Sequence, residues 1–172
     1  RVDAILSMAE QEGFLVFLTP SYVGFGCGSQ GWGPRMVNNS VANHETYADF
    51  LAARYGNRKN IIWVHAGDAD VSLCGLSAKV SALAARLEAS APLIPHSAHC
   101  ERQSSSLDCY NESWLDVNAV YSSCQQAARK IRDNYQASSS LSHYFIEGIY
   151  ENEGAGEICL GSQMYWPFLG GL

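Results

Sequence analysis

One stretch, Asn60 to Asp70 (N-I-I-W-V-H-A-G-D-A-D), limits what this chain can fold into more than any other. Ile61, Ile62, Trp63 and Val64 form a short apolar run without Pro or Gly, bounded by polar residues. A strand buried on both faces, as in a parallel sheet, reads this way. Gly67 breaks the run, and Asp68 and Asp70 follow at once. A carboxylate just past the C-terminal end of such a strand stands where barrel and open α/β enzymes place their chemistry. Asp68 is therefore expected to be half of a catalytic pair.

The flanking segments repeat a strand–helix rhythm. Val2, Ile5, Leu6, Met8 and Ala9 recur at helical spacing, with Gly13 as a stop. Phe14 to Leu18 reads as a strand and is followed by a Gly-rich loop, Gly24 to Gly33, that carries Phe25 and Trp32, with Tyr22 just before it. Those aromatics either pack the loop or form a stacking platform for a sugar ring. Asn43 is expected to cap a helix whose buried face is Tyr47, Phe50, Leu51 and Tyr55. A helix is expected over 76–89 and a very short strand at Leu93-Ile94, running into Pro95-His96-Ser97. Trp114 to Val120 reads as a strand, Cys124 to Tyr135 as a helix, and Tyr144-Phe145-Ile146 as a buried strand that delivers Glu147. A last helix runs from Glu157 to Leu169 and stops at Gly170-Gly171. Helices alternating with strands, and polar groups always after the strands, predict an α/β fold with a parallel sheet, open or closed into a barrel.

Composition narrows the function. With 172 residues, 47% apolar and 16% charged, the chain is long enough for one folded domain. Its net charge of −6, with no basic run, argues against nucleic acid. No apolar stretch approaches the roughly 18 residues that a membrane span needs. The chain opens without Met or a signal pattern, inside an amphipathic helix, and so reads as a processed product or a fragment. Six Cys and two Asn-x-Ser sequons, at Asn38 and Asn111, lean toward a secreted, disulfide-bonded glycoprotein. Cys27 with Cys74 and Cys100 with Cys109 are the preferred pairings. No Cys/His cluster has zinc spacing, so neither a metal nor another cofactor is expected. No dinucleotide fingerprint, P-loop or G-x-S-x-G elbow is present.

Two carboxylates at the ends of two strands, with aromatics nearby, suit glycoside hydrolysis. That reaction needs one acid to protonate the departing oxygen and one carboxylate to attack or to activate water. Asp68 and Glu147 are the candidates. The plain structural alternative is that Asp68 caps a helix and Glu147 pairs with a Lys or Arg. His65, inside an apolar strand, reads as a core residue, while His96 at the end of its strand is a site candidate. Asn118, buried in a strand, must find partners, and facing the pocket it would orient a sugar hydroxyl.

Four motifs in order, N-I-I-W-V-H-A-G-D, R-Q-S-S-S, W-L-D-V-N and E-G-I-Y-E, resemble the apiosidase-like bacterial glycoside hydrolases. Their catalytic domain often precedes a collagen-binding-type domain. The resemblance covers nearly all of the chain and implies a (β/α)8 TIM barrel, represented here by its middle part from about helix 2 to helix 7. It implies Asp68 as the general acid/base after the fourth strand and Glu147 as the carboxylate after the seventh. His96 matches the His after the fifth strand, and Asn118 the Asn on the sixth. Gly148 stands where the family has Pro, and Tyr121 where it often has Gln. Glu151 is a rival to Glu147, and Trp32, Tyr121 and Glu151 join the expected substrate contacts. The expected partners are a carbohydrate substrate and either the missing parts of the barrel or neighbouring chains, which would cover the open strand edges. The runner-up function is a non-catalytic barrel that binds glycan or builds an extracellular assembly.

Overall fold

The computed structural model describes residues 1–138 and 140–170. The elements run α1 (Val2–Gln11), β1 (Val16–Leu18), a 3-10 turn (Phe25–Cys27), α2 (Gly33–Val37), α3 (Val41–Tyr55), β2 (Ile61–Ala66) and α4 (Ser77–Ser90). They continue with β3 (His96–His99), β4 (Ser104–Ser105), α5 (Ser106–Cys109), β5 (Val117–Tyr121), α6 (Ala127–Ala137), β6 (Ser142–Glu147) and α7 (Glu157–Leu169). Strands β1, β2 and β3 form one parallel sheet in that order. A second sheet runs β4-β5-β6, with β5 and β6 parallel and the two-residue β4 antiparallel to β5. The two sheets adjoin at His96, whose N–H donates to Asp116 Oδ2 (2.9 Å) and whose carbonyl accepts from Asp116 N–H (3.0 Å). The fold is thus α/β with five parallel strands, as expected. What these residues form is two abutting sheets rather than a closed barrel.

The expected central strand is the most buried one, and only Ile62 in it is partly exposed. Its outer face carries Trp63, which meets Tyr55 of α3 edge-on with ring centroids 6.4 Å apart. Such edge-to-face pairs contribute about 0.5–1.5 kcal/mol beyond their burial. Leu51, Leu83 and Leu87 fill the same layer between sheet and helices. On the concave side the end strands face each other, and the Phe17 and Tyr144 rings stack at 4.8 Å.

Helix α3 differs from expectation at its start. Ser40 is the N-cap and its hydroxyl accepts from the Asn43 N–H, so Asn43 lies one turn inside. The buried face of α3 is therefore His44, Ala48, Leu51 and Tyr55, while Tyr47 and Phe50 are exposed. The expected strand at Leu93-Ile94 forms three residues later, because Pro95 offers no N–H to a ladder. Cys27–Cys74 and Cys100–Cys109 are both bonded, and the third disulfide is Cys124–Cys159. Three disulfides fit an oxidising compartment. No helix among the described residues is long and apolar enough to cross a membrane. Asn38 and Asn111 are both exposed. Gly171, part of the expected helix stop, lies outside the described residues. Large apolar side chains stay exposed beside both end strands, among them Ile5, Met8 and Phe14 at one end and Ile158, Met164 and Phe168 at the other.

Candidate active site

Asp68 is delivered by a backbone turn that ordinary residues avoid. Ala66, Gly67 and Asp68 all have positive φ (65°, 113° and 48°). Left-handed backbone at non-glycine residues costs free energy and persists only where surroundings hold it, as happens at functional sites. Here the holders are visible. Gly67 N–H donates to the His99 carbonyl (3.0 Å), Val23 N–H to the Ala66 carbonyl (3.1 Å), and Gly26 N–H to the Asp68 carbonyl (3.0 Å). A Cβ at Gly67 would collide with the Tyr22 ring. The strand after which Asp68 emerges is thus locked to the glycine-rich loop and to the end of β3.

Glu147 reaches the same place by a bulge. In β5–β6 the register slips after Val120, so that Phe145 faces Val120 but Glu147 faces Tyr121. Tyr144 points to the concave side, where its hydroxyl is 3.2 Å from Ser97 Oγ. A regular strand would put Glu147, three residues on, on the opposite face. The extra residue, Ile146, turns it back to the concave side. Position alone suggested Glu147, and the bulge is what aims it.

The third member is His99. One ligand-type atom each of Asp68, His99 and Glu147 lies within 4.8 Å of the others. His99 Nε2 sits 3.0 Å from Glu147 Oε2, but off hydrogen-bond alignment. Glu147 Oε1 accepts a short hydrogen bond from the Tyr150 hydroxyl (2.6 Å). Tyr121 packs edge-on against the His99 ring at 5.4 Å. Burial raises the Asp68 pKa above the usual carboxylate range, and the nearby Glu147 charge raises it further. Its Oδ1 is buried and has no hydrogen-bond partner. Burial lowers the His99 pKa against the pull of Glu147. Burial, with the Glu147 and Asp68 charges, pushes the Tyr121 hydroxyl up to about 12, which keeps it a donor. The Tyr150 hydroxyl is also held protonated, first by its bond to Glu147.

The other expected site residues divide. Tyr121 stands beside the cluster. Glu151 is exposed and lies outside the three-residue cluster, so Glu147 is the carboxylate that meets Asp68. His96 opens β3 instead of ending it and is fully buried on the outer face, stacked on His65 and near Trp114. Its Nδ1 lies 2.9 Å from His65 Nε2, and burial lowers its pKa to about 4. The pleat separates His96 from Ser97 and His99, which face inward. Asn118 also faces outward, accepting from Leu107 N–H and donating its amide toward Asn134 and His143. Trp32 is half exposed at the N-cap of α2, beside Arg35, and is not among the clustered residues. Neither half of the plain alternative describes the pair. It is Asp70 that caps a turn, taking Ser72 N–H and hydroxyl, and Glu147 pairs with His99.

His99 was missed from sequence because the strand was placed three residues early. Its signal was the His-Ser-Ala-His spacing, which puts His96 and His99 on opposite faces of a strand. Asp68, His99 and Glu147 also form a donor set able to hold a metal ion. Sequence spacing gave no sign of it, because the three side chains come from three separate strand ends.

Residues 1–166 match the family described as "Apiosidase-like, catalytic domain". No curated protein matches the chain. Among solved structures, one titled "Glycoside hydrolase" is similar at a TM-score of 0.78 and 20% identity, covering 99% of this chain and 43% of that one. A glycoside hydrolase family 5 structure from Bacteroides vulgatus ATCC 8482 is similar at 0.77 and 20% identity, covering 99% of this chain and 40% of that one. The chain thus spans about two fifths of the length of these structures.

Proposed function

The chain belongs to the apiosidase-like catalytic-domain family, and on that premise we propose that it carries the two reacting carboxylates of a secreted glycoside hydrolase. The observation that supports this most is the approach of Asp68 and Glu147, with atoms within 4.8 Å across two strand ends. Carboxyl groups about 5–5.5 Å apart suit retention of configuration, whereas about 6.5–9.5 Å leaves room for the water of an inverting enzyme. We assign the pair to the retaining class, and the anomeric configuration of the first product tests that assignment.

The roles follow from the surroundings. Asp68 has the raised pKa that a general acid needs. It gives its proton to the glycosidic oxygen as the C1–O bond breaks. Glu147, oriented by the Tyr150 hydroxyl, attacks the anomeric carbon and forms a glycosyl ester. Asp68, now ionised, then takes a proton from water. The resulting hydroxide oxygen bonds to C1 and displaces Glu147. The Tyr121 hydroxyl is a donor for a sugar oxygen at this site. His96 and Asn118 support the sheet from behind and stay out of contact with the sugar. The remaining walls of the pocket come from the rest of the barrel.

The test is Asp68→Asn and Glu147→Gln in the intact protein on a panel of aryl glycosides and polysaccharides. Both variants are expected to lose at least a hundredfold in kcat/KM, and proton NMR of the first product to show the starting anomeric configuration. Full activity in either variant would overturn the assignment. Glycan binding without turnover in the wild type would favour the glycan-binding or structural reading.

A further inference from the structure

A separate cleft of about 440 Å³ opens beside α2 and the start of α3, lined by Pro20, Trp32, Arg35, Asn43, His44 and Tyr47 among others. That volume lies in the range of small-molecule sites. It stands at the same end of the sheet as the carboxylates, because Pro20 follows β1 and β1 runs parallel to β2. Tyr22 links the two places. Its carbonyl accepts from Trp32 N–H (2.7 Å), and its ring lies over Gly67, next to Asp68.

The polar groups of the cleft are set for particular partners. His44 is 5% exposed, and its Nδ1 lies 2.9 Å from the Ser40 carbonyl. A carbonyl only accepts, so Nδ1 carries a proton, and in the imidazole form Nε2 is an acceptor. Among the described residues Nε2 has no hydrogen-bond partner, and His44 lines the cleft. The Tyr47 hydroxyl donates to the Pro20 carbonyl (2.9 Å), so its oxygen is a second acceptor. Both suit hydroxyl donors. Trp32 is 54% exposed and offers an aromatic platform. The Arg35 guanidinium sits 5.0 Å from the ring centroid and makes no ion pair among the described residues, in a chain of net charge −6.

We propose that this cleft is a second carbohydrate subsite, taking a sugar that bears an acid group, carboxylate or sulfate, from the glycan cut at Asp68 and Glu147. The sugar's apolar face stacks on Trp32, its hydroxyls donate to His44 Nε2 and Tyr47 Oη, and its acid group pairs with Arg35. This reading rests on the glycosidase proposal for the substrate's identity, but its binding test does not depend on turnover.

The test is calorimetric titration of the intact D68N protein with a uronic-acid trisaccharide, its methyl ester, a sulfated trisaccharide and a glucose trisaccharide. One or both acidic trimers are expected to bind at least tenfold tighter than the ester and the glucose trimer, with the difference shrinking as salt is raised. R35Q, at an exposed position, is expected to abolish that preference, and W32A to weaken all ligands about tenfold. Equal binding of acidic and neutral trimers would overturn the proposal. So would an acid preference that survives R35Q, or equal competition by a nucleoside monophosphate. Should D68N fail to reduce hydrolysis, the two-carboxylate mechanism falls while these binding results stand. Should hydrolysis depend on Asp68 without any acid preference, the subsite alone falls.

Discussion

Substituting Gly67 with Ala probes the turn that aims Asp68. Gly67 has φ +113°, outside the region that a residue with a side chain adopts at ease. Forcing Ala into it costs about 1–3 kcal/mol. The new Cβ would stand 2.8 Å from Tyr22 Cε2 and closer still to Cδ2. Tyr22 is 38% exposed and has room to swing away, at a repacking cost of about 1–3 kcal/mol. The total is about 2–6 kcal/mol for G67A. In G67A/Y22A only the backbone share remains, so the double variant should recover about 1–3 kcal/mol relative to the sum of the single changes. Urea unfolding of the four proteins measures this coupling. Activity follows the same geometry, because a misplacement of about 1 Å costs roughly a hundredfold in rate. Single changes that add within about 0.5 kcal/mol, with G67A fully active, would refute the idea that Tyr22 and Gly67 together hold the turn that presents Asp68.

Other consequences are equally open to measurement. The Cys27–Cys74 bridge closes 47 residues and Cys100–Cys109 closes 9; by chain entropy their removal as Cys→Ala pairs costs about 4 and about 2.5 kcal/mol, read as separate urea midpoints in non-reducing buffer. Tyr150→Phe removes the hydrogen bond that orients Glu147 and should lower kcat/KM about ten- to a hundredfold by misplacing that carboxylate, while Tm falls only slightly, since Tyr150 is largely exposed. Asp68 has a raised folded-state pKa, so its contribution to stability is intact below the unfolded value of about 3.9 and is lost as pH rises through the folded value. D68N cannot ionise, and its Tm should therefore match wild type near pH 4 and exceed it at pH 7. A D68N protein less stable than wild type at pH 7 would contradict that sign.

The parallel architecture was legible because its signals are local. Ile61 to Val64 had to be a buried strand, and the helical spacing of Leu76, Val80, Leu83 and Leu87 had to face it. The strand-end positions of Asp68 and Glu147 were also legible from the apolar runs before them, although β6, expected to be buried, is mostly half-buried. What aims them was not. The slip at Val120/Tyr121 that turns Glu147 inward depends on pairing between strands, and the positive φ values at Ala66 and Asp68 depend on hydrogen bonds from the loop after β1 and from β3. The sequence points to His96 and not to His99 because Leu93-Ile94 reads as the strand, whereas Pro95 delays the ladder and moves the strand end to His99. Since side chains alternate across a strand, that three-residue shift exchanged an inward histidine for an outward one. Asn118 shows the same limit. Its burial was evident, but its face was decided by Leu107, Asn134 and His143, all remote in sequence.

Covalent trapping identifies which carboxylate attacks the sugar. The intact protein would be incubated with 2-deoxy-2-fluoro glycosides of the sugars it releases, carrying good leaving groups, then digested and weighed by mass spectrometry. One glycosyl group is expected on the peptide containing Glu147, located on Glu147 by fragmentation and absent from E147Q. A label on Glu151 or any other side chain, or turnover with inverted product and no trapped ester, would contradict it.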